Sequence, residues 1–139
     1  MDRDDLGFLF AKATQRWNEL LSERFRAAGW GEVRPSYGSI LVPLFEEDGL
    51  RIGELARRAR LSKQTMTTMV RLLEQDGLVG RERDPVDGRA FRVVLTAKAR
   101  GFEPVAEQAL SELAELARMR LGERRVASLK TGLKEWIET

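Results

Sequence analysis

The sequence predicts a mainly α-helical fold that carries one small β-hairpin. Three observations lead there. Apolar residues recur at spacings of three and four through most of the chain, the period changes to short strand-like runs between about residues 78 and 95, and glycines fall where helices need to stop. A chain of 139 residues has the length of one domain with a real core, and 42% apolar with 33% charged residues suits a soluble helical protein. The chain has no cysteine and no histidine, which removes disulfides, thiolate metal sites, the commonest general base and the commonest zinc ligand. No catalytic residue, cofactor or metal is therefore expected. No apolar run approaches the ~18 residues of a membrane span, and the acidic start (Asp2, Asp4, Asp5) is unlike a signal peptide, so a cytoplasmic location without membrane association is expected.

The first helix is expected from Asp5 to about Ala28, where Leu6, Leu9, Phe10, Ala13, Trp17, Leu20, Leu21 and Phe25 make the stripe and Gly29 and Gly31 end it. Pro35 suits the first turn of a second helix carrying Ile40, Leu41, Leu44 and Phe45, which Pro43 should kink or shorten. Glu47-Asp48-Gly49 reads as a turn. From Leu50 to Val70 the pattern fits a helix-turn-helix. Leu55, Ala56 and Ala59 give its first helix an apolar face, Leu61 plugs the turn, and Ser62 is a good N-cap for the second. In that second helix Met66, Met69, Val70 and Leu73 form the buried stripe. The opposite side presents Gln64, Thr68, Arg71 and Gln75, flanked by Lys63, Thr65 and Thr67.

That exposed face is unusual for so charged a chain. An ordinary surface helix would carry Glu–Lys pairs at i,i+4, whereas this one has hydroxyls, amides and an Arg, and no carboxylate through residue 73. Such groups read base edges and bond phosphates. Charge along the chain agrees. Residues 1–50 hold 6 Lys/Arg against 9 Asp/Glu (−3), residues 51–100 hold 12 against 6 (+6), and residues 101–139 hold 6 against 7 (−1). A basic middle between acidic flanks is the distribution of a segment that faces phosphates; a solvated charged surface is the plain alternative.

After Gly77 the runs Leu78–Arg83 and Ala90–Leu95 read as paired strands joined by Asp84-Pro85-Val86-Asp87-Gly88-Arg89, a loop full of turn formers. A hairpin directly after a helix-turn-helix is a wing, and its arginines are Arg81, Arg83, Arg89 and Arg92. Arg89 near the tip suits the adjacent minor groove. Two uses fit Asp87: a bidentate partner that orients Arg89, or a turn residue with Gly88.

The segment from about Val33 to Gly101 resembles the MarR (multiple antibiotic resistance regulator) family of winged-helix regulators. The resemblance rests on Gly53-Glu54-Leu55-Ala56, Leu61-Ser62-Lys63-Gln64-Thr65, Leu73 to Val79, Arg81, Asp84 to Arg89 and Leu95 to Gly101. Two positions depart from the family pattern: Gly88 stands where an Arg is frequent, and Arg60 stands where the turn often has Gly. The resemblance implies one MarR-type domain over residues 1–139. About 35–100 would form a winged helix-turn-helix lobe, and about 5–28 and 101–138 the helices of an intertwined homodimer. The implied function is a repressor, less often an activator, on a near-palindromic site in double-stranded DNA. Ser62, Lys63, Gln64, Thr65, Thr67, Thr68 and Arg71 of the recognition helix, and Arg81, Arg83, Asp87 and Arg89 of the wing, would make the contacts. In similar proteins a small, often aromatic or anionic effector binds between the dimer helices and the winged lobe. Here that region would draw on Trp17, Trp30, Arg34, Tyr37 and Ile40, residues that packing explains equally well. A winged helix used as a protein-interaction module is the other reading; it expects an apolar or acidic recognition face.

Overall fold

Helix boundaries follow their caps. The computed structural model describes residues 2–139, as α1 (Leu6–Ala27), a 3-10 turn (Pro35–Tyr37), α2 (Gly38–Glu46), β1 (Leu50–Arg51), α3 (Ile52–Ala59), α4 (Lys63–Gln75), β2 (Val79–Arg83), β3 (Phe91–Leu95), α5 (Ala97–Leu121) and α6 (Glu123–Ile137). Asp5 opens α1 by accepting from the Gly7 and Phe8 N–H groups, Ser62 opens α4 through Thr65 N–H, and Thr96 opens α5 through Ala99 N–H. Pro35 starts the 3-10 turn that leads into α2. Pro43 lies inside α2, where it cannot donate to the Ser39 carbonyl, and the helix ends three residues later at Glu46, with Glu47 N–H still donating to the Pro43 carbonyl at 2.9 Å.

Three helices end in the same way. At the end of α1, Trp30 N–H donates to the Phe25 carbonyl at 2.8 Å across Gly29, which has φ +88°. At the end of α4, Leu78 N–H reaches the Leu73 carbonyl at 2.9 Å across Gly77, with φ +73°. At the end of α3, Leu61 N–H reaches the Ala56 carbonyl at 3.0 Å, and the left-handed residue is Arg60, with φ 56°. Each is a Schellman stop, which satisfies carbonyls at the helix end and needs a left-handed residue. Arg60 is the single non-glycine residue with positive φ among the described residues. The turn keeps the backbone that glycine favours and carries the steric cost of a Cβ there.

The sheet has three strands in the order β1-β3-β2, all antiparallel, with Leu50 opposite Val93, Val79 opposite Leu95 and Arg83 opposite Phe91. The expected hairpin is present. The addition is β1, because Leu50 and Arg51, read from sequence as the start of the helix-turn-helix, pair with β3 instead. Two residues are too few to display a period.

One core joins the elements. Phe102 of α5, 2% exposed, meets Phe25 edge-to-face at 4.8 Å and Trp30 at 5.2 Å, so α1 and α5 clasp at their buried ends. Ile40, Leu44, Leu55, Met66, Val70, Leu73, Leu78 and Val93 fill the winged lobe. Met69, expected in the core, is only half-buried at its edge. Elsewhere the helices remain open. Leu6, Phe8, Leu9 and Trp17 of α1 and Leu129, Trp136 and Ile137 of α6 are exposed, and α6 buries no residue. Among the described residues no helix is long and apolar enough to cross a membrane.

Arg60→Gly should raise stability by about 1 kcal/mol, since the strain of a left-handed side chain outweighs the chain entropy that glycine adds. Met66→Ala should lower it by ~2–5 kcal/mol as a truncation in a closed core. Paired denaturant titrations measure both, and a destabilised Arg60→Gly would show that the side chain stabilises more than its backbone costs.

Candidate nucleic-acid interface

Burial of Met66, Val70 and Leu73 turns the other side of α4 outward, and Lys63, Gln64, Thr65, Thr68 and Arg71 are exposed there, with Thr67 half-buried. Ser62 does two jobs. Its hydroxyl oxygen accepts from Thr65 N–H at 3.0 Å, and its proton goes to Thr65 Oγ1 at 2.8 Å. The Thr67 and Thr68 hydroxyls donate back to the carbonyls of Lys63 and Gln64, at 2.8 and 3.2 Å. Their protons are engaged along the helix, so what they present outward is oxygen lone pairs.

The charges sort themselves by pairing. Of the twelve cations between residues 51 and 100, Arg51 pairs with Asp84, Arg57 and Arg58 with Glu54, Arg81 with Glu74, Arg92 with Glu82, Lys98 with Glu32 and Arg100 with Asp48. Arg57 and Arg58 hold the Glu54 carboxyl down to about 2. Arg60 donates to the Ile137 carbonyl at 2.6 Å. Among the described residues, the four of these twelve with neither a carboxylate within 3.3 Å nor a short hydrogen bond to a carbonyl are Lys63, Arg71, Arg83 and Arg89. Arg83 makes only a 3.5 Å contact with the Gly88 carbonyl, and Arg89, with its side chain 96% exposed, lies 3.7 Å from Asp87. All four sit on the open face of α4 or on the wing.

The wing is built around a residue that sequence reading took only for a turn former. Asp84 is the one buried charged residue among those described. It accepts from Arg51 Nε at 2.9 Å and from the Val86 and Asp87 N–H groups at 2.8 and 3.0 Å. Arg51 first, then the two backbone donors, hold its carboxyl far below the ordinary carboxylate range. The turn-forming Asp84-Pro85-Val86-Asp87 run was visible in the chain, but the arginine partner of Asp84 lies 33 residues earlier on β1 and had no local signal. Asp87 fills both of its expected uses in a reduced form. Its Oδ1 accepts Arg89 N–H at 3.1 Å, and the guanidinium stays 3.7 Å away, so there is no bidentate pair. Arg81, expected as a free wing cation, is a strut from β2 to α4, with Nε 2.9 Å from Glu74.

A cavity of about 210 Å³ lies between α1, the 3-10 turn, α2 and α5, walled mainly by Leu21, Phe25, Leu41, Phe45 and Phe102. Two residues of the expected effector region, Trp17 and Arg34, line it. The other three do not, because packing claims them. Trp30 lies on Phe102, Ile40 is fully buried, and Tyr37 is buried with its hydroxyl donating to Asp76 Oδ2 at 2.6 Å.

The MarR family model matches residues 35–91. The HTH-type transcriptional regulator TtmR of Methylorubrum extorquens is 36% identical over 91 residues, 66% of this chain and 46% of that protein. The HTH-type transcriptional repressor Rv2887 of Mycobacterium tuberculosis is 39% identical over 64 residues, 46% of each chain. These matches span about half the length of the curated relatives. Among solved structures, a probable transcriptional regulator from Pseudomonas aeruginosa superposes with a TM-score of 0.83 at 27% identity, over 96% of this chain and 97% of the other. The repressor CouR, bound to a 23-mer DNA duplex, gives 0.82 at 22% identity over 99% and 98%, a likeness of fold. The named relatives are regulators rather than enzymes.

The Asp84 anchor is complete above the ordinary carboxylate range and drains only as pH falls through its depressed folded value. At neutral pH, Asp84→Ala should therefore release residues 84–90. Proteolytic nicking there should rise several-fold, while the melting temperature moves by less than about 5 °C. Equal nicking of variant and parent would mean that the strands alone hold the wing.

Proposed function

We propose that the chain, whose winged helix-turn-helix matches the MarR family model over residues 35–91, is a homodimeric DNA-binding transcriptional repressor of that family. The observation that carries the proposal is the pairing of charge: the fold pairs most of its basic middle closely with carboxylates and leaves Lys63, Arg71 and Arg83 without one and Arg89 only loosely beside Asp87, on one helix face and one hairpin. Cations held away from carboxylates are what phosphate contacts require, and each one neutralising a phosphate releases counterions. Gln64 and Thr65, nearest the N-terminus of α4, are placed for base edges, and Arg71, two turns on, for a phosphate or a base. Thr68, with its proton committed to Gln64, reads a base only by accepting from an amino group. Ser62 caps the helix and Thr67 flanks the face. In the wing, Arg83 and Arg89 face phosphate or a narrow minor groove, while Asp87 and the Arg81 strut set the hairpin's shape. The alternative, a protein-interaction module, would want an apolar or acidic face on α4, and this face is polar and basic.

Residues 1–139 act as one domain in this proposal, with a DNA-binding lobe at about 35–100 and dimer helices at about 5–28 and 101–138. The exposed apolar residues of α1 and α6 support a symmetric partner. A groove of about 440 Å³ lined by Phe10, Ala13, Trp17, Leu121, Leu129 and Leu133 is the natural seat for its helices. Two recognition helices then sit one DNA turn apart, ~34 Å, over a near-palindromic operator. The 210 Å³ cavity, apolar with Arg34 among its lining residues, suits a small apolar anion as the releasing effector.

Light scattering should give about twice the 15.8 kDa chain mass; a monomer at micromolar concentration would remove the two-half-site geometry. With an operator selected from random DNA, Gln64→Ala should lose ~1–3 kcal/mol of discrimination at one or two positions, with stability within ~0.5 kcal/mol of the parent. Arg89→Ala should reduce the salt slope of binding by ~1 on specific and unrelated duplexes alike. Unchanged operator preference in Gln64→Ala and Thr68→Ala together would place the reading of sequence elsewhere.

A further inference from the structure

The cavity and the candidate recognition helix are separate places, and one side-chain hydrogen bond joins them. Tyr37 closes the 3-10 turn and is 2% exposed. Arg34, Pro35 and Gly38, on either side of it in sequence, line the cavity, yet its own side chain points away, to Asp76 Oδ2. Asp76 is the C-cap of α4, where its N–H donates to the Leu72 carbonyl at 3.1 Å. The same corner is gripped from α5: Lys98 Nζ donates to the Asp76 carbonyl and Thr96 Oγ1 to the Gly77 carbonyl, each at 2.7 Å. Phe102, further along α5, forms part of the cavity wall. The C-terminal end of α4 is thus held from two elements that also bound the cavity.

We infer that Tyr37 is a positioning residue that couples the cavity to α4, transmitting displacement of the 3-10 turn through its hydroxyl to Asp76 and so to the setting of the recognition helix. This rests on the reading of α4 as the DNA-reading helix. Physically, an O–H···O⁻ bond of 2.6 Å is of the charge-assisted kind, and a buried hydroxyl leaves it only by losing a partner it cannot replace with water. The two ends therefore move together or the bond breaks. Linkage makes the coupling reciprocal: what loosens α4 at Asp76 loosens the turn at Tyr37. The charged groups around the phenol are Asp76 from α4 and Arg34 from the turn, with the Lys98–Glu32 pair next to Asp76. Burial first, and Asp76 after it, push the phenol's ionisation up, and Arg34 opposes them.

Amide hydrogen exchange on the full-length protein gives the first test. Tyr37→Phe, which keeps the buried ring, should speed exchange about tenfold at residues 70–77 across the broken bond. Asp76→Ala should do the same at residues 33–41, and Asp76→Asn, whose amide oxygen still accepts, should stay near the parent. Acceleration confined to the mutated element, or spread evenly over the chain as in general destabilisation, overturns the coupling. The second test adds a duplex selected by the parent protein from random DNA. Tyr37→Phe should bind that duplex about tenfold more weakly, and Asp76→Asn close to the parent. Parent-like affinity of Tyr37→Phe for that duplex overturns the coupling and leaves the DNA reading intact. Failure to select any duplex, with the reciprocal exchange pattern present, defeats the DNA reading and leaves the coupling standing.

Discussion

Met66, Val70 and Leu73 are fully buried, and what α4 can present to a partner depends on that stripe. A helix has one rotation about its axis. Once three positions at spacings of four and three face the core, the positions about 180° away face out, whatever their chemistry. Leu55 and Ala56 of α3 supply the surface against which the stripe closes, and the left-handed Arg60 between the two helices sets how they cross. Gln64, Thr68 and Arg71 are therefore exposed by the packing of other residues. Substitution on this surface can change what it presents without disturbing the stripe that holds it, which is the separation the proposed DNA-reading face would use.

Charge is managed in the same spirit. Exposed ion pairs contribute little to stability, so the pairs Arg57–Glu54, Arg92–Glu82 and Arg100–Asp48 are poor candidates for what holds the fold. Their effect is on the electrostatic field. Each paired arginine cancels its own attraction for phosphate, which leaves the positive potential where Lys63, Arg71, Arg83 and Arg89 stand. Asp84 is different, being buried and bonded to a guanidinium and two backbone N–H groups. It turns a hairpin loop of Pro, Val and Gly, which would otherwise be loose, into a shaped tip that presents Arg89 in a limited set of directions.

Much of this was legible in the chain because the signals are local. Ser62 as N-cap, Gly29 and Gly77 as helix stops, Pro43 near the end of α2 and the hairpin from residue 78 to 95 each depend on a few neighbouring residues, and each is found where local chemistry puts it. What escaped was non-local or too short. Strand β1 is two residues long and exists only because β3 offers an edge. The Arg51–Asp84 and Arg81–Glu74 pairs join distant parts of the chain, so sequence counted Arg81 among the DNA contacts of the wing and gave Arg51 no role, where the fold has two struts. The effector region shows the same limit. Tyr37 and Ile40 were candidates by residue type, and their helical phase, which depends on where the 3-10 turn passes into α2, sends them into the core while Arg34 and Gly38 meet the cavity.

The terminal helices pose a question of energy that the winged lobe does not. An isolated helix of about 15 residues is marginal in water, and α6, which spans Glu123–Ile137, buries none of its residues and opens with no side-chain cap. Within the chain it lies beside α5 and α1, with Phe10 stacked on Trp136 at 6.2 Å and Arg60 bonded to the Ile137 carbonyl. α1 is in a similar position over its first half, where Leu6, Phe8 and Leu9 are open to solvent. Helices of this kind need an apolar surface to fold against, and both carry exposed apolar side chains. In the proposed dimer, folding of α1 and α6 and association are then one event, so the spacing of the two recognition helices is set by the same contacts that make those helices stable. The weakest helices of the protomer would in this way determine the geometry with which the strongest part of it meets DNA.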